Sequence, residues 1–257
     1  MNIAVILSGG SGSRMKGGTT PKQYIEVGGK PIICYCLETF QAHPMIDAIV
    51  IVADEKYQEM LDEWMEKERV SKFADYAPAG RTRQHSIYSG ITVAREVVGW
   101  YEVPDEIGGY IHVGVKEETE DIKDIVIIHD AARPCVSEQI ITDCINGAVE
   151  CDGAMPVITV KDTVYQSADG KTIGGLLNRD ELFAGQAPEA FKLDPYLAIH
   201  DAMSDEELAE VRGSSEIAYK QGMKIKLVKG EEANFKITTK EDLEKYRAQV
   251  KSSKSKK

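Results

Sequence analysis

Short apolar runs alternate with amphipathic segments along most of the chain. Continuous runs such as Ile3–Leu7 and Ile125–Ile128 have the length and composition of strands that are buried on both faces of a sheet. Between such runs, apolar residues recur at helical spacing, as in the charged segment Lys56–Glu68. This alternation predicts an α/β fold in which helices cover a doubly wound, mostly parallel sheet.

Residues that directly follow the predicted strands are the first candidates for a site, because doubly wound sheets bind ligands beyond the carboxyl ends of their strands. The predicted strands are residues 2–7, 46–52, 73–77, 125–128, 153–160 and 224–228. The predicted helices are residues 31–40, 56–68, a helix ending near 98, a helix beginning after Ser137, and 194–202, 206–210, 214–221 and 240–250.

Three further segments do not fit the alternation. Residues 99–122 mix aromatic, glycine and acidic residues and are predicted to form a surface insertion with a hairpin around 110–113. Residues 161–178 alternate around Asp169-Gly170 and predict an extended β-arm. Residues 251–257 form a Lys/Ser tail that is predicted to be disordered, which leaves residues 1–250 as one domain.

Composition excludes several classes of function. The chain has 257 residues and a net charge of −11, which argues against a nucleic-acid partner because phosphate backbones require a basic surface. No apolar run approaches the roughly 18 residues of a membrane span, and the N-terminus begins with a strand rather than a signal-peptide pattern.

Five cysteines suggest reduced thiols and a cytoplasmic protein. Cys34 and Cys36 have no second pair nearby, which favours packing over zinc binding.

The first strand runs into a loop that is suited to phosphate. Residues 8–15 read Ser-Gly-Gly-Ser-Gly-Ser-Arg-Met, and Pro21-Lys22-Gln23 follows shortly after. Backbone N–H groups of such a turn can surround phosphate oxygens, and Arg14 and Lys22 add positive charge. Met15 excludes a dinucleotide-binding fingerprint, and the Walker A pattern is absent. Taken alone, the glycines would also fit an ordinary βα turn with two solvated charges.

A second constellation, His129-Asp130-Ala131-Ala132-Arg133-Pro134, follows a buried strand. A carboxylate at a strand end can hold Mg²⁺ while nucleotide phosphates supply further oxygens. A loop with a local ion pair is the alternative when this segment is considered alone. His129 is interpreted as a packed histidine rather than a base, because an attacking phosphate oxygen is already ionised near neutral pH.

Two weaker patterns and the arm complete the candidates. In Gly80-x-x-Arg83-x-x-Ser86 a glycine allows close approach to a base and a hydroxyl can recognise it, although a helix N-terminus explains the pattern equally well. Lys236 precedes a Thr239–Asp242 capping box and could reach a second phosphate. In the arm, Arg179 on its own would be a solvated charge. The glycine loop, the Gly80 loop and Asp130 all follow strands, so one common edge of the sheet is expected to carry them.

In this order, the motifs resemble the family of 2-C-methyl-D-erythritol 4-phosphate cytidylyltransferase and its relative, ribitol 5-phosphate cytidylyltransferase. The resemblance spans residues 2–247 apart from the 99–122 insertion. It implies a Rossmann-like, single-domain fold of the nucleotide-diphospho-sugar transferase type, with a protruding β-arm exchanged in a homodimer. It also implies transfer of CMP from CTP to a polyol phosphate, with pyrophosphate as the second product and Mg²⁺ as the cofactor.

The resemblance also assigns roles to residues of this chain. The implied catalytic residues are Arg14, Lys22, Asp130 and Lys236, with Asp130 as the Mg²⁺ ligand. The implied CTP-binding residues are Ser8, Gly9, Gly10, Gly12, Gly80, Arg83, Ser86, Ala131 and Arg133. The implied polyol-phosphate residues are Lys236 together with Thr163 and Arg179 of the partner's arm.

The chain departs from the family pattern on the acceptor side. Where the family usually has Gln-Thr-Pro-Gln, this chain has Gln186-Ala187-Pro188-Glu189, and Arg212-Gly213-Ser214-Ser215-Glu216 replaces a Thr-Asp-Asp/Glu segment. Gly9-Gly10 and Gly185-Gln186 favour ribitol 5-phosphate, whereas His129–Pro134 favours methylerythritol 4-phosphate. The leading hypothesis is the methylerythritol phosphate enzyme, followed by the ribitol phosphate enzyme and by an enzyme for another polyol phosphate. A nucleotide-binding protein without turnover is the alternative from another class, but Arg14, Lys22, Asp130 and Lys236 together argue against it.

Overall fold

A computed structural model describes residues 1–10, 20–99, 101–104, 110–113 and 124–254, with backbone alone for 101–104 and 110–113. The strands are β1 (Asn2–Leu7), β2 (Glu26–Val27), β3 (Lys30–Pro31), β4 (Ala48–Ala53), β5 (Phe73–Pro78), β6 (Tyr101–Pro104), β7 (Tyr110–Val113), β8 (Ile125–Asp130), β9 (Gly153–Thr159), β10 (Tyr165–Gln166), β11 (Gly175–Leu176), β12 (Phe183–Gly185), β13 (Glu189–Lys192) and β14 (Ile225–Lys229). The helices are α1 (Ile32–Ala42), α2 (Gln58–Lys67), α3 (Arg83–Gly99), α4 (Glu138–Glu150), α5 (Leu193–Asp201), α6 (Asp205–Glu210), α7 (Ser214–Lys220) and α8 (Lys240–Lys254).

The central sheet has eight strands in the order β12-β9-β13-β8-β1-β4-β5, with β14 also paired to β9. β1 runs parallel to β4 and β8, β4 parallel to β5, and β14 parallel to β9. β13 is antiparallel to both β8 and β9, and β12 is antiparallel to β9. The prediction of an α/β fold with a mostly parallel sheet is therefore confirmed.

Alternate side chains of each strand feed two hydrophobic layers, as expected from the two-residue period of a strand. Ala4 and Ile6 of β1 face a layer that contains α1, α2 and α4. Ile3 and Val5 face a layer that contains α3, α5 and α7. All four side chains are fully buried, and burying an isoleucine or valine side chain contributes roughly 1.5–3 kcal/mol to the stability of the fold.

The structure differs from the predicted elements at strand β13 and at the C-terminal tail, among other places. Strand β13 was not predicted, because its four residues carry too short an apolar pattern to be distinguished from a loop. The prediction of a disordered tail is wrong for Lys251–Lys254, because α8 continues to Lys254. Val250 packs in a small core with Tyr246, and Lys254 Nζ donates to Gly28 O at 2.6 Å, so tertiary contacts support this last turn.

Several local predictions are confirmed. Ser137 caps α4 by accepting from Ile140 N, and Thr239 accepts from Asp242 N at 3.1 Å at the start of α8. In the insertion, β6 and β7 form an antiparallel hairpin, while residues 105–109 and 114–123 lie outside the described residues. The arm contains the antiparallel pair β10 and β11, and Asp169 closes its turn by accepting from Lys171 N at 2.8 Å.

Within the described ranges, every helix is too short or too polar to traverse a lipid bilayer.

Candidate active site

Three loops meet at the carboxyl edge of the sheet, where β1, β5 and β8 end. The register pairs Leu7 at the end of β1 with Asp130 at the end of β8. A cleft of about 510 Å³ opens above them. Its lining includes Gly9, Gly10, Lys22, Gly80, Arg83, Ser86, Asp130 and Lys236. The predicted convergence of the glycine loop, the Gly80 loop and Asp130 on one edge is confirmed.

The start of the glycine loop, residues 8–10, is anchored by hydrogen bonds to β4 and to Gln23 and Tyr24. Ser8 is buried, and its hydroxyl donates to Val52 O at 2.7 Å. Gln23 Nε2 donates to Gly10 O at 2.9 Å and also to Ser8 O, while Tyr24 OH donates to Ser8 O at 3.1 Å. The side chain of Ser8 therefore holds the loop on β4 rather than lining the cleft.

Two of the predicted glycines are required by close approach. A Cβ on Gly9 would lie 2.3 Å from Ala79 Cβ, and a Cβ on Gly80 would lie 2.4 Å from His85 Cβ. Gly80 N also donates to Ser86 Oγ at 3.0 Å, which fixes the β5–α3 loop on the first turns of α3. These contacts bring backbone of both loops to the cleft surface without side chains in between.

Asp130 is buried in the cleft wall and surrounded by positive charge. Among the described residues, three cationic groups lie within 4 Å of its carboxylate: Lys236 Nζ at 2.8 Å, Arg83 Nε at 3.4 Å and Arg133 Nε at 3.6 Å. Burial by itself would raise the pKa of Asp130, but the charges of Arg83, Lys236 and Arg133 outweigh it and hold the pKa well below its usual range. The carboxylate is therefore ionised at neutral pH.

The two arginines around Asp130 have different surroundings. Arg83 Nη1 donates to Ser214 Oγ at 2.7 Å, and Arg83 Nη2 lies 3.8 Å from Glu189 Oε1. Arg133 Nη1 donates to Asn234 O at 2.7 Å, and burial lowers the pKa of Arg133 although Asp130 raises it. Arg83 lines the cleft, whereas Arg133 is not part of the cleft lining and contacts Asp130 from the protein interior.

The interpretation of His129 as a packed side chain is confirmed. It is fully buried, its ring packs 5.1 Å from that of Phe40, and its Nε2 lies 3.1 Å from Arg133 O. Burial lowers the pKa of His129 to about 4, so the ring is neutral at pH 7 and donates from Nε2 to that carbonyl.

The remaining predicted residues lie away from the cleft or cannot be placed. Ala131 is in the core, and its N–H donates to Leu7 O at 3.1 Å. Thr163 and Arg179 are exposed on the arm, where Arg179 Nη1 donates to Lys161 O at 2.9 Å. Gly12 and Arg14 fall outside the described residues.

Sequence reasoning missed several residues that line the cleft: Gln23, Asp54, Arg81, Thr82, Ala132 and Thr238. Asp54 directly follows β4, so the rule that pointed to Asp130 could have found it. Ala132, rather than Ala131, lines the cleft, since the strand alternation sends Ala131 into the core. Glu189 and Ser214 carried no local signal, because they meet Arg83 only through the tertiary fold.

A mostly parallel sheet that ends in a glycine loop, with an aspartate surrounded by cationic side chains beside it, is the arrangement expected of a nucleotidyltransferase. A model of the 2-C-methyl-D-erythritol 4-phosphate cytidylyltransferase (IspD) family matches residues 2–106 and 110–252, and the chain belongs to this family. The protein is therefore a cytidylyltransferase, and the resemblance inferred from the motifs is confirmed.

Similar proteins carry two different acceptor names. Ribitol-5-phosphate cytidylyltransferase of Streptococcus agalactiae is 29% identical over 248 residues, which cover 96% of this chain and 95% of that protein. 2-C-methyl-D-erythritol 4-phosphate cytidylyltransferase of Geobacillus thermodenitrificans is 30% identical over 240 residues, covering 93% and 92%. The solved structure of 4-diphosphocytidyl-2C-methyl-D-erythritol synthase from Anaerococcus prevotii has a TM-score of 0.73 at 25% identity and covers 97% of this chain and 96% of that one.

Proposed function

We propose that this cytidylyltransferase transfers CMP from CTP to 2-C-methyl-D-erythritol 4-phosphate, which gives a CDP-polyol and pyrophosphate in an isoprenoid precursor pathway. The observation that carries the proposal is the convergence of Lys22, Arg83, Asp130 and Lys236 on one cleft. The His129–Pro134 segment and relatives at 30–33% identity that bear this name support the choice of acceptor.

The cleft residues fit the chemistry of two polyanions that must meet. An oxygen of the acceptor phosphate forms a bond to the α-phosphorus of CTP, and the bond from that phosphorus to the β-phosphate oxygen breaks. The nucleophile is already ionised, and His129 is fully buried and does not line the cleft, so the proposed reaction uses no general base from this histidine. Lys22 and Lys236 lower the repulsion between the substrates and stabilise the charge that develops in the transition state.

Arg14 belongs to the same proposal, although it falls outside the described residues. By the resemblance it binds the triphosphate together with Lys22, and Gly9, Gly10, Gly80 and Ser86 hold the nucleotide at the cleft wall. An Arg14→Ala variant should lose about 10²–10³ in kcat, the usual cost of removing one group that stabilises developing charge. Near-normal turnover would remove Arg14 from the mechanism.

Asp130 fits a Mg²⁺ ligand. It is an ionised carboxylate at the cleft, and Mg²⁺ commonly takes one or two carboxylates while substrate phosphates and water complete its octahedron. When bound, the ion would neutralise triphosphate charge and orient the α-phosphate. We expect Asp130→Asn to weaken Mg²⁺-dependent CTP binding in calorimetry and to lower kcat by about 10²–10³. Unchanged Mg²⁺ dependence in a folded variant would contradict this assignment.

A homodimer formed through the arm belongs to the same proposal. Among the described residues, five of nine exposed large apolar side chains lie in or beside the arm: Tyr165, Ile173, Leu176, Leu177 and Phe183. Such a concentration of exposed apolar surface is typical of a contact surface. The exposed positions of Thr163 and Arg179 on the same arm would let them reach a partner's cleft, where they would bind the polyol phosphate.

Ribitol 5-phosphate is the second candidate acceptor. Gly9-Gly10, the departures at Ala187 and at residues 212–216, and the Streptococcus agalactiae relative favour it. With either acceptor, a cytoplasmic location is proposed, because all five cysteines are free.

Pyrophosphate release with CTP, Mg²⁺ and a panel of polyol phosphates tests the proposal. We expect the highest kcat/KM with methylerythritol 4-phosphate; a preference for ribitol 5-phosphate or another polyol phosphate would overturn the acceptor. Tight CTP binding without turnover of any acceptor would instead favour a nucleotide-binding protein that has lost catalysis. A preparation that stays monomeric at assay concentration would overturn the dimer.

A further inference from the structure

The two segments that depart from the family pattern lie against each other in the folded protein. Glu189 occupies the last position of the altered Gln-Ala-Pro-Glu segment, and Ser215 belongs to the segment 212–216 that lacks the usual acidic pair. Ser215 donates to Glu189 Oε2 from its N–H at 2.9 Å and from its hydroxyl at 2.5 Å. Two departures that are 26 residues apart in the sequence therefore form a single contact.

Both segments also contact Arg83, which lines the cleft. Arg83 Nη1 donates to Ser214 Oγ at 2.7 Å, and Arg83 Nη2 lies 3.8 Å from Glu189 Oε1. Its Nε lies 3.4 Å from Asp130 Oδ1. Ser214 is fully buried and Glu189 is 9% exposed, so little water competes for these bonds. The guanidinium is thus held on three sides, and one of these sides is the aspartate of the site.

The charges of this cluster show what Glu189 adds to the surroundings of Arg83. Arg83, Arg133 and Lys236 surround Asp130, and Glu189 supplies a second carboxylate. The family pattern has glutamine at the Glu189 position and acidic residues before the helix that corresponds to α7. In this chain, a glutamate on β13 and serines at the start of α7 stand in these segments. Arg83 thereby has a second carboxylate partner besides Asp130.

We propose that Glu189 and Ser214 are a coupled pair of positioning residues that hold Arg83 against Asp130 and so shape the acceptor side of the cleft. Neither residue contacts the reacting atoms; both act through the orientation of the Arg83 guanidinium. Removing the carboxylate of Glu189 leaves Arg83 without that partner. Adding a carboxylate at Ser214 while Glu189 is present crowds three acids around one arginine. Changing both residues together restores the balance.

A double-mutant cycle of Glu189→Gln, Ser214→Asp and the combined variant tests the pair. This use of acceptor kinetics rests on the proposed function. Each single variant should lower kcat/KM for the acceptor about tenfold, and the combined variant should return to within about threefold of wild type. Because glutamine is isosteric and still accepts from Ser215, Glu189→Gln should change KM and kcat with little change in melting temperature. A purely structural role would instead lower activity and melting temperature in parallel.

The matched control is Glu244→Gln, since Glu244 pairs with Arg247 at 2.7 Å on the exposed side of α8 and should change no kinetic constant. Losses that multiply to about a hundredfold in the combined variant would overturn the proposal. So would wild-type kinetics in Glu189→Gln. If Ser214→Asp does not fold, Ser214→Ala replaces it. Its effect should largely disappear when Glu189→Gln is already present, and a full multiplicative loss would overturn the pair.

The outcome can be separated from the choice of acceptor. If the wild-type protein turns over no acceptor, the proposed function fails, and the same cycle is measured on CTP binding by calorimetry. Arg83 and Asp130 line the cleft in the chain itself, so the pair should still show non-additive changes in CTP affinity. Additive changes there would overturn the coupling independently of the reaction.

Discussion

The two sides of the cleft are built in different ways. The side that we propose for the nucleotide consists of loops that directly follow β1 and β5, and its contacts are made by backbone groups and small residues such as Gly9 and Gly80. The side that we propose for the acceptor is centred on Arg83, which β13 and the start of α7 hold from outside the cleft lining, and a partner's arm would complete it. Its central contact joins Arg83 to Ser214 across 131 residues of sequence.

This difference has a physical consequence for substitution. Close backbone packing on the nucleotide side leaves little room for residues other than glycine, because an added Cβ at Gly9 or Gly80 would collide with a neighbour. Under the proposed coupling of Glu189 and Ser214, charge partners on the acceptor side can be exchanged between segments as long as the charge balance around Arg83 is kept. The departures from the family pattern lie on the second side, where Glu189 and Ser215 meet.

The largest effect is expected from Lys22→Ala on the nucleotide side. Lys22 lines the cleft, and loss of a charge that stabilises the transition state should lower kcat by about 10²–10³. Steady-state pyrophosphate release measures this loss, while circular dichroism checks the fold. Lys226→Ala is the control, because Lys226 of β14 pairs with Glu150 of α4 and does not line the cleft. Equal activity of the two variants would refute the role of Lys22.

A second test compares two adjacent glycines. Gly9→Ala should destabilise the protein by about 1–3 kcal/mol, because its Cβ would lie 2.3 Å from Ala79 Cβ and the packed loops would have to separate. Gly10→Ala should cost much less, since no described atom lies within 4 Å of the added Cβ. Urea unfolding measures both. Equal losses would mean that the nucleotide side is not as tightly packed as these contacts indicate.

A third test addresses the arm. Ile173→Asp together with Leu176→Asp places charge on two side chains that are 70% and 67% exposed. If the arm is a dimer contact, light scattering should show monomers, and kcat/KM for the acceptor should fall about tenfold or more. CTP affinity should remain, because the nucleotide side belongs to one chain. Val149→Asp is the matched control at an exposed apolar residue of α4. A dimer that survives the arm substitutions would exclude this contact.

The smallest effect concerns His200, which joins α5 to α3. Its Nδ1 lies 2.8 Å from Tyr196 O, and its Nε2 lies 2.5 Å from Gln84 Nε2 on α3. These contacts fit the neutral ring, with a proton on Nδ1 and an acceptor at Nε2. Burial lowers the pKa of His200 below its usual value of 6.5, although the hydrogen bond to Tyr196 O and the charge of Asp201 act in the opposite direction.

Because the folded pKa is depressed, this stabilisation is complete above about pH 6.5 and is lost as the pH falls towards the folded pKa. The free energy of unfolding should therefore decrease below pH 6.5, and His200→Gln should reduce that slope. Urea unfolding at a series of pH values checks the expectation. An unchanged slope in a folded variant would show that other groups cause the pH dependence.

Most of the parallel part of the sheet could be predicted, because each strand carries its own pattern. Ile3–Leu7 and Ile125–Ile128 are apolar at every position, and a strand buried on both faces needs no information from elsewhere in the chain. Strand β13 could not be predicted in this way. It is short, and its position between β8 and β9 follows from pairing with both neighbours.

The candidate site shows the same limit. Asp130 and Gly80 could be located because they follow strands. The contacts of Arg83 with Glu189 and Ser214 could not, because no local pattern specifies which distant segments meet. Lys254 is a further example, since its bond to Gly28 helps to hold a helical turn where composition alone predicted disorder.

By itself, the sequence determined the alternation of strands and helices, the family, and the group of loops that form the cleft, because hydrophobic period and motif order are properties of neighbouring residues. Only the tertiary structure decided which three cations meet Asp130 and that Glu189 meets Ser215. The contact of Glu189 depends on how β13 enters the sheet, and contacts between distant segments are fixed only once the whole chain has packed.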